Sequence, residues 1–316
     1  MLKLSPYKPV DKPLWDAFVK NARNGLFWLQ RDYLGYNEDR ITDHSILFLK
    51  DERKVVGALP ANREDRTLNS YGGLPFGGLI LARGAGLHDI SQMLDLLAAH
   101  MRTEGLERLV FTPMPSPYQK TEGDEVEVLL QERGAHLRQT RLTSMLRLKA
   151  DGLPELLSSR RLKQIRKARR CYPLELGITE DAEEIWPALE RFLRDRFGRS
   201  PIHSLEEIRK LKKAFPENIY FLTAKEESRL VGGLIVFVFE KVLRLQACFR
   251  VGENQSDYLS TRLDLFAMKT FADSCGVCDV GTSYDPVTGN LQAELFRYKE
   301  YLGARGIALC SWEWIP

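Results

Sequence analysis

A chain of 316 residues is longer than one typical core needs and comfortable for two. Hydrophobic content of 44% and charged content of 28% are ordinary for a globular protein and exclude a disordered one. A net charge of +3 excludes a general polyanion binder, so phosphate affinity must come from a local patch.

In chain order, the opening MLKLSPYKPVDKPLWDAF lacks the uninterrupted apolar stretch of a secretory leader. Next come Phe27, Trp28, Tyr33 and Tyr36, an aromatic run at helical spacing that suits a core better than a sugar-stacking platform. SILFLKDERKVVGALPAN then reads as strand, charged turn, strand. SYGGLPFGGL follows, with Gly72, Gly73, Gly77 and Gly78 around Pro75 and Phe76. Such glycines serve tight turns or a close approach of backbone to ligand. The amphipathic segment DISQMLDLLAAHMRTEG predicts a helix that stops at Gly105, and LERLVFTPMP predicts a strand after it.

The second half repeats this plan. IYFLTAKEESRLVGGLIVFVF again gives strand, charged turn, strand, with Val-Gly-Gly-Leu in place of Val-Gly-Ala-Leu. STRLDLFAMKTFADSCG predicts a helix ending near Gly276, and VCDVG a short strand. One unit written twice, roughly 170 to 175 residues apart, predicts two α/β (α+β) domains, each a mixed sheet flanked by helices. Their boundary is expected near Lys149 to Gly152, giving domains over 1–150 and 151–316. The longest apolar run, Leu230 to Phe239, is short of the ~20 residues that span a bilayer. Five cysteines, an odd number, argue against a disulfide scaffold, so a cytoplasmic protein is expected. Cys275-Gly-Val-Cys278 lacks a second ligand pair, so no metal site is expected.

Several blocks carry a resemblance. FWLQRDYLGYNEDRITDHSILFLKDERKVVGALPAN, SYGGLPFGGLIL, RRLKQIRKARR, RSPIHSLEEIRKLKKAFPENI and DVGTSYDPVTGNLQAELFRYKEYLGARG stand in the order found in FemAB-like proteins. The chain resembles the branch described as having a BioF2-like acetyltransferase domain, within the GNAT superfamily. The resemblance implies two tandem GNAT-like domains and transfer of an acyl or aminoacyl group; direct attack is expected because no cysteine sits in a convincing nucleophile setting. Its acceptor would be an amine or hydroxyl of a sugar or cell-envelope precursor. The donor it implies is acyl-CoA, inserted between two splayed strands, or aminoacyl-tRNA. After LRLQACFRV, GENQSDYLSTRL offers one glycine where the GNAT coenzyme A loop has several, and Arg83 to Gly86 is spaced differently. Both donors therefore stay open, as does a catalytically silent module that binds a glycan or partner protein.

Candidate site residues follow from chemistry. Ser158 to Arg170 holds seven Lys or Arg in thirteen residues, with Arg160, Lys163, Lys167 and Arg170 on one helical face. Arg160, Lys163, Arg166, Lys167 and Arg250 are therefore candidates for donor phosphates; the plain alternative is a solvated linker helix. His203, before a helix capped by Ser204 and Glu207, is a candidate base for an acceptor amine. Asp279, expected at a strand end, is a second base candidate, and Ser283 a donor to an oxyanion. Tyr284, Lys299 and Tyr71 are candidate substrate contacts; Tyr71 stands where the family pattern has a histidine.

Overall fold

The computed structural model describes residues 1–51, 54–171, 173–252, 258–285 and 288–316. It divides into two compact units, one of 1–141 with 308–316 and one of 142–307.

The first unit opens with β1 (Leu2–Pro6), α1 (Lys12–Asn21) and α2 (Arg31–Leu34), then β2 (Ile46–Lys50), β3 (Lys54–Leu59), β4 (Asn62–Glu64), β5 (Thr67–Asn69) and β6 (Ile80–Leu81). The strands β1-β2-β3-β6 form an antiparallel sheet. Helix α3 (Leu87–Thr103) buries Ile90, Met93, Leu94 and Leu97, an i, i+3, i+4, i+7 stripe, in a core shared with Phe48 and Leu59. β7 (Arg108–Phe111), α4 (Glu125–Glu132) and the start of β8 (His136–Arg147) complete the sequence-contiguous part. The aromatic run is core here: Phe27, Trp28 and Tyr33 are buried. The turn Asp51-Glu52-Arg53 includes residues 52 and 53, which lie outside the described residues.

The second unit contains α5 (Ser159–Cys171), β9 (Glu175–Thr179), α6 (Trp186–Phe197), α7 (Leu205–Ala214), β10 (Ile219–Glu226), β11 (Arg229–Val238) and β12 (Val242–Arg250). Then come α8 (Tyr258–Thr270), β13 (Val277–Thr282), α9 (Ala293–Tyr301) and β14 (Arg305–Trp314), whose end returns to the first unit and pairs with β7. Within the second unit the strand order is β8-β13-β12-β11-β10-β9. All neighbours are antiparallel except β12 and β13. The hairpin β10–β11 closes through Glu227 and Ser228, both at positive φ, as a two-residue turn matched to strand twist requires.

The repeated Val-Gly has a packing reason. A Cβ on Gly57 would lie 2.5 Å from the Met93 sulfur of α3, and one on Gly232 would lie 2.8 Å from Leu259 of α8. In each unit a glycine lets the helix approach its strand closely. Among the described residues, no helix is long and apolar enough to cross a membrane.

Candidate active site

The site grows from the one parallel pair in the second unit. β12 and β13 match at Val242 with Val277, Leu243 with Cys278 and Arg244 with Asp279. The pairing stops there, while β12 runs on to Arg250. On its other edge β12 pairs β11 with an irregularity: Ile235 faces Ala247 and Val236 faces Leu245, leaving Gln246 as an extra residue. This β-bulge shifts the two-residue alternation by one. Leu245, Cys248 and Arg250 consequently share one side and line a cavity of about 810 Å³. Val280 of β13, Phe192 of α6 and Asp264 of α8 line it too, as do Tyr298 and Lys299 of α9.

Lys299 is 6% exposed, and its Nζ donates to the carbonyls of Gly281 at 2.9 Å and Thr282 at 2.6 Å. Those carbonyls are presented by a second bulge. β13 pairs β8 at Asp279 with Met145 and at Thr282 with Thr143, and Gly281 takes a φ of 77° that favours glycine. The Asp279 carboxylate fixes the bulge by accepting from the Gly281 N–H at 2.8 Å and from Thr143 Oγ1 at 2.7 Å, while Arg244 donates to its other oxygen. Desolvation pulls Lys299 down to about 8, against the opposing pull of Asp279, with Arg244 adding to the fall.

Asp264 is 5% exposed, and burial raises its carboxyl to about 7; the Tyr298 hydrogen bond and the Lys299 charge act the other way. Tyr298 Oη donates to Asp264 Oδ2 at 2.9 Å. With its proton so placed, Tyr298 accepts from Thr261 Oγ1 at 3.2 Å, and Thr261 in turn accepts from Arg161 Nη2 of α5 at 3.3 Å. The chain Arg161, Thr261, Tyr298, Asp264 therefore points every donor towards the carboxylate. A carboxyl near 7 and a lysine near 8 in one cavity form an acid–base pair matched to neutral pH. Burial lifts the Cys248 thiol to about 12, which removes it as a nucleophile at neutral pH.

Of the residues expected from sequence, Lys299 and Arg250 line the cavity. Asp279 is fully buried within β13 rather than at its end, and supports Lys299 from behind the bulge. Ser283 is fully buried, its Oγ without a hydrogen-bond partner among the described residues, and Tyr284 makes an isolated bridge with Leu291. His203 lies buried in the loop before α7, whose cap by Ser204 and Glu207 forms as expected; it is not among the cavity-lining residues. Arg160, Lys163, Arg166 and Lys167 lie exposed on α5. Tyr71 belongs to the first unit, at a φ of 59°, and donates its hydroxyl proton to the Leu34 carbonyl; burial pushes that hydroxyl up. Residues 253–257, which follow the single glycine of GENQSDYLSTRL at Gly252, lie outside the described residues. Asp264 and Tyr298 were not singled out as site residues. The available signal was Asp264 itself, an acidic residue among the buried positions Leu259, Leu263 and Ala267 of one helix.

No family model matches the sequence, and no curated protein matches it. Solved structures do. A structure of FemX superposes with a TM-score of 0.70 at 11% identity, covering 99% of this chain and 97% of that one. The fold is the FemX-type tandem GNAT fold. L-PGS from Bacillus licheniformis is similar at a TM-score of 0.61 and 11% identity, over 97% of this chain and 91% of that one. A tandem GNAT protein from the clavulanic acid biosynthesis pathway is similar at 0.57 and 13%, over 99% and 98%.

Proposed function

We propose that the chain is an acyl- or aminoacyl-transferase whose reaction takes place in the cavity of the second unit. The observation that carries this reading is the parting of β12 from β13 beyond Arg244, beside a buried Asp264 and Lys299. From Leu245 onward, β13 no longer occupies that edge of β12, so its backbone groups are placed to pair with an extended donor. The donor carbonyl lies against Lys299, whose ammonium offsets the charge developing on the carbonyl oxygen.

The acceptor is an amine or hydroxyl, on a sugar or cell-envelope precursor as the family resemblance implies. Its nitrogen or oxygen forms a bond to the carbonyl carbon while Asp264 takes its proton. The C–S bond of an acyl-CoA, or the C–O bond of an aminoacyl ester, then breaks, and the proton on Asp264 passes to the leaving sulfur or oxygen. No acyl-enzyme is needed. The exposed cations of α5 with Arg250 receive the donor's phosphates.

The test is a transfer assay with acetyl-CoA and with alanyl-tRNA over a panel of amino-sugar acceptors, run beside Lys299→Ala. Loss of one oxyanion donor lowers turnover by roughly 100- to 1,000-fold. No product from either donor, together with no rise of the melting midpoint in millimolar donor, would overturn the reading.

A further inference from the structure

An acetyl or alanyl group needs little apolar wall. This cavity is lined by Phe192 and Phe197 from α6, Leu234 and Leu245 from the sheet, Leu295 from α9 and Leu302 just after it. At the ~30 Å³ that one water occupies, about 810 Å³ admits roughly two dozen non-hydrogen atoms. The apolar wall also reaches the surface: Phe197 is 44% exposed and Leu295 39%. Buried apolar surface is expected of a core, but large apolar side chains at a cavity mouth mark a ligand with an apolar part.

The mouth carries charge of one predominant sign. The guanidinium carbons of Arg196 and Arg199 lie 5.8 and 5.7 Å from the centroid of the Phe197 ring. Arg196 and Arg250 line the cavity with Lys299, and the acids among the lining residues are Glu294 and the buried Asp264. Arg196, Arg199 and Arg250 make no ion pair with an acid among the described residues, whereas Arg209, Lys210 and Lys212 near α7 each do. An apolar throat rimmed by unneutralised arginines is complementary to an anionic amphiphile.

We propose that one substrate of this site carries an aliphatic chain with an anionic head, the chain in the throat and the head on Arg196, Arg199 and Arg250. This deepens the transferase reading and rests on it for the bond that is made. The chain has two possible sources, a long-chain acyl donor bearing the phosphates of coenzyme A, or an anionic lipid acceptor.

Calorimetric titration with two series below their micelle concentrations separates them: saturated acyl-CoA from two to twelve carbons, and alkyl phosphates from four to twelve. Affinity is expected to rise roughly three- to fourfold per methylene, the equivalent of burying one CH₂ at ~0.8 kcal/mol, until the throat is full. A rise in the acyl-CoA series assigns the chain to the donor. A rise confined to the alkyl phosphates assigns it to a lipid acceptor. Flat series in both overturn the proposal. Leu245→Trp, which fills the throat, should end the rise at a shorter chain. Leu295→Asp, at an exposed position that does not threaten the fold, should flatten the series. Chain-length dependence without transfer from any donor removes the transferase reading and leaves this proposal standing; acetyl transfer with flat series does the reverse.

Discussion

Asp279 and Lys299 hold the two backbone polar groups of one residue, Gly281: the Asp279 carboxylate accepts from its N–H, and the Lys299 ammonium donates to its carbonyl. The bulge is thus fixed at both its polar ends, and the buried lysine gains two carbonyl partners. Burial lowers Lys299, and the Asp279 carboxylate behind the bulge opposes that fall.

Replacing Asp279 by Asn tests this support. The substitution removes the charge that raises Lys299, so the lysine should fall further below about 8. The alkaline limb of the pH–rate profile should move to lower pH with it. Arg244 also loses its buried partner, and breaking such a pair costs about 3–5 kcal/mol, visible as a lower melting midpoint. A destabilised protein with an unmoved alkaline limb would separate Asp279 from the site.

Asp264 predicts a pH dependence of stability with a definite sign. Burial raises the carboxyl from 3.8 to about 7. Below pH 4 the folded and unfolded chains both hold the proton. Between about 4 and 7 the unfolded chain releases it and the folded chain keeps it, so this contribution to stability falls as pH rises and is level above 7. At 1.36 kcal/mol per pH unit the change is on the order of 4 kcal/mol. Lys299, lowered from 10.5 to about 8, acts in the reverse sense between 8 and 10.5. Denaturant unfolding of wild type and Asp264→Asn across pH 4 to 8 should give a difference that changes up to 7 and then levels. A constant difference would contradict it.

The same carboxyl should set the acid limb of kcat/KM near 7, and Tyr298 tunes it. The tyrosine hydrogen bond favours the ionised carboxylate, so Tyr298→Phe should move the acid limb upward and lower the rate at pH 7 by roughly tenfold. An unmoved limb would mean that the Tyr298 bond is only structural.

Gly281→Ala isolates backbone conformation from contact. Nothing lies within 4 Å of a Cβ added there, so the cost comes from the φ of 77° and is about 1–2 kcal/mol. Because the strain falls on the peptide that holds Lys299, activity should drop more than stability does. Gly276→Ala, also with open space and without a positive φ, is the control and should change neither. Equal effects of the two substitutions would sink the bulge argument.

The tandem architecture was legible because the chain writes one local pattern twice, down to the glycine that admits Met93 in one unit and Leu259 in the other. Lys299, on a predicted helix in a block that carries the resemblance, and Arg250, in the strand LRLQACFRV, were named from sequence and line the cavity. Two features were not. The bulge at Gln246 depends on the register between β11 and β12, which alternation within one strand does not encode. Asp264 reads as an ordinary helical acid until the fold buries it, and the chain from Arg161 through Thr261 and Tyr298 joins residues 137 positions apart at its ends. For Asp279 the sequence supplied the residue but not its occupancy, since its oxygens are taken by Thr143, Gly281 and Arg244 and are not positioned to receive an acceptor's proton.

The basic face of α5 separates the two donors. Ile165 is buried and Arg161 turns towards Thr261 and the Tyr258 ring, so the helix is anchored along one side and leaves Arg160, Lys163, Arg166 and Lys167 outward. None of these four makes an ion pair among the described residues, so their charge is available to phosphates. The double substitution Lys163→Glu with Lys167→Glu removes two of the cations at exposed positions, where stability changes by about 0.5 kcal/mol or less. If the donor is aminoacyl-tRNA, its affinity should fall and the slope of log K against log salt should become shallower by about 1.5 to 2, the counterions of two phosphate contacts. If the donor is acyl-CoA, whose few phosphates can engage fewer of these cations, the salt slope is small in the wild type and changes by less than one. Filter binding of tRNA and calorimetry with acetyl-CoA, each from 50 to 300 mM salt, measure both slopes. An unchanged slope for both donors would return α5 to the role of a solvated linker helix.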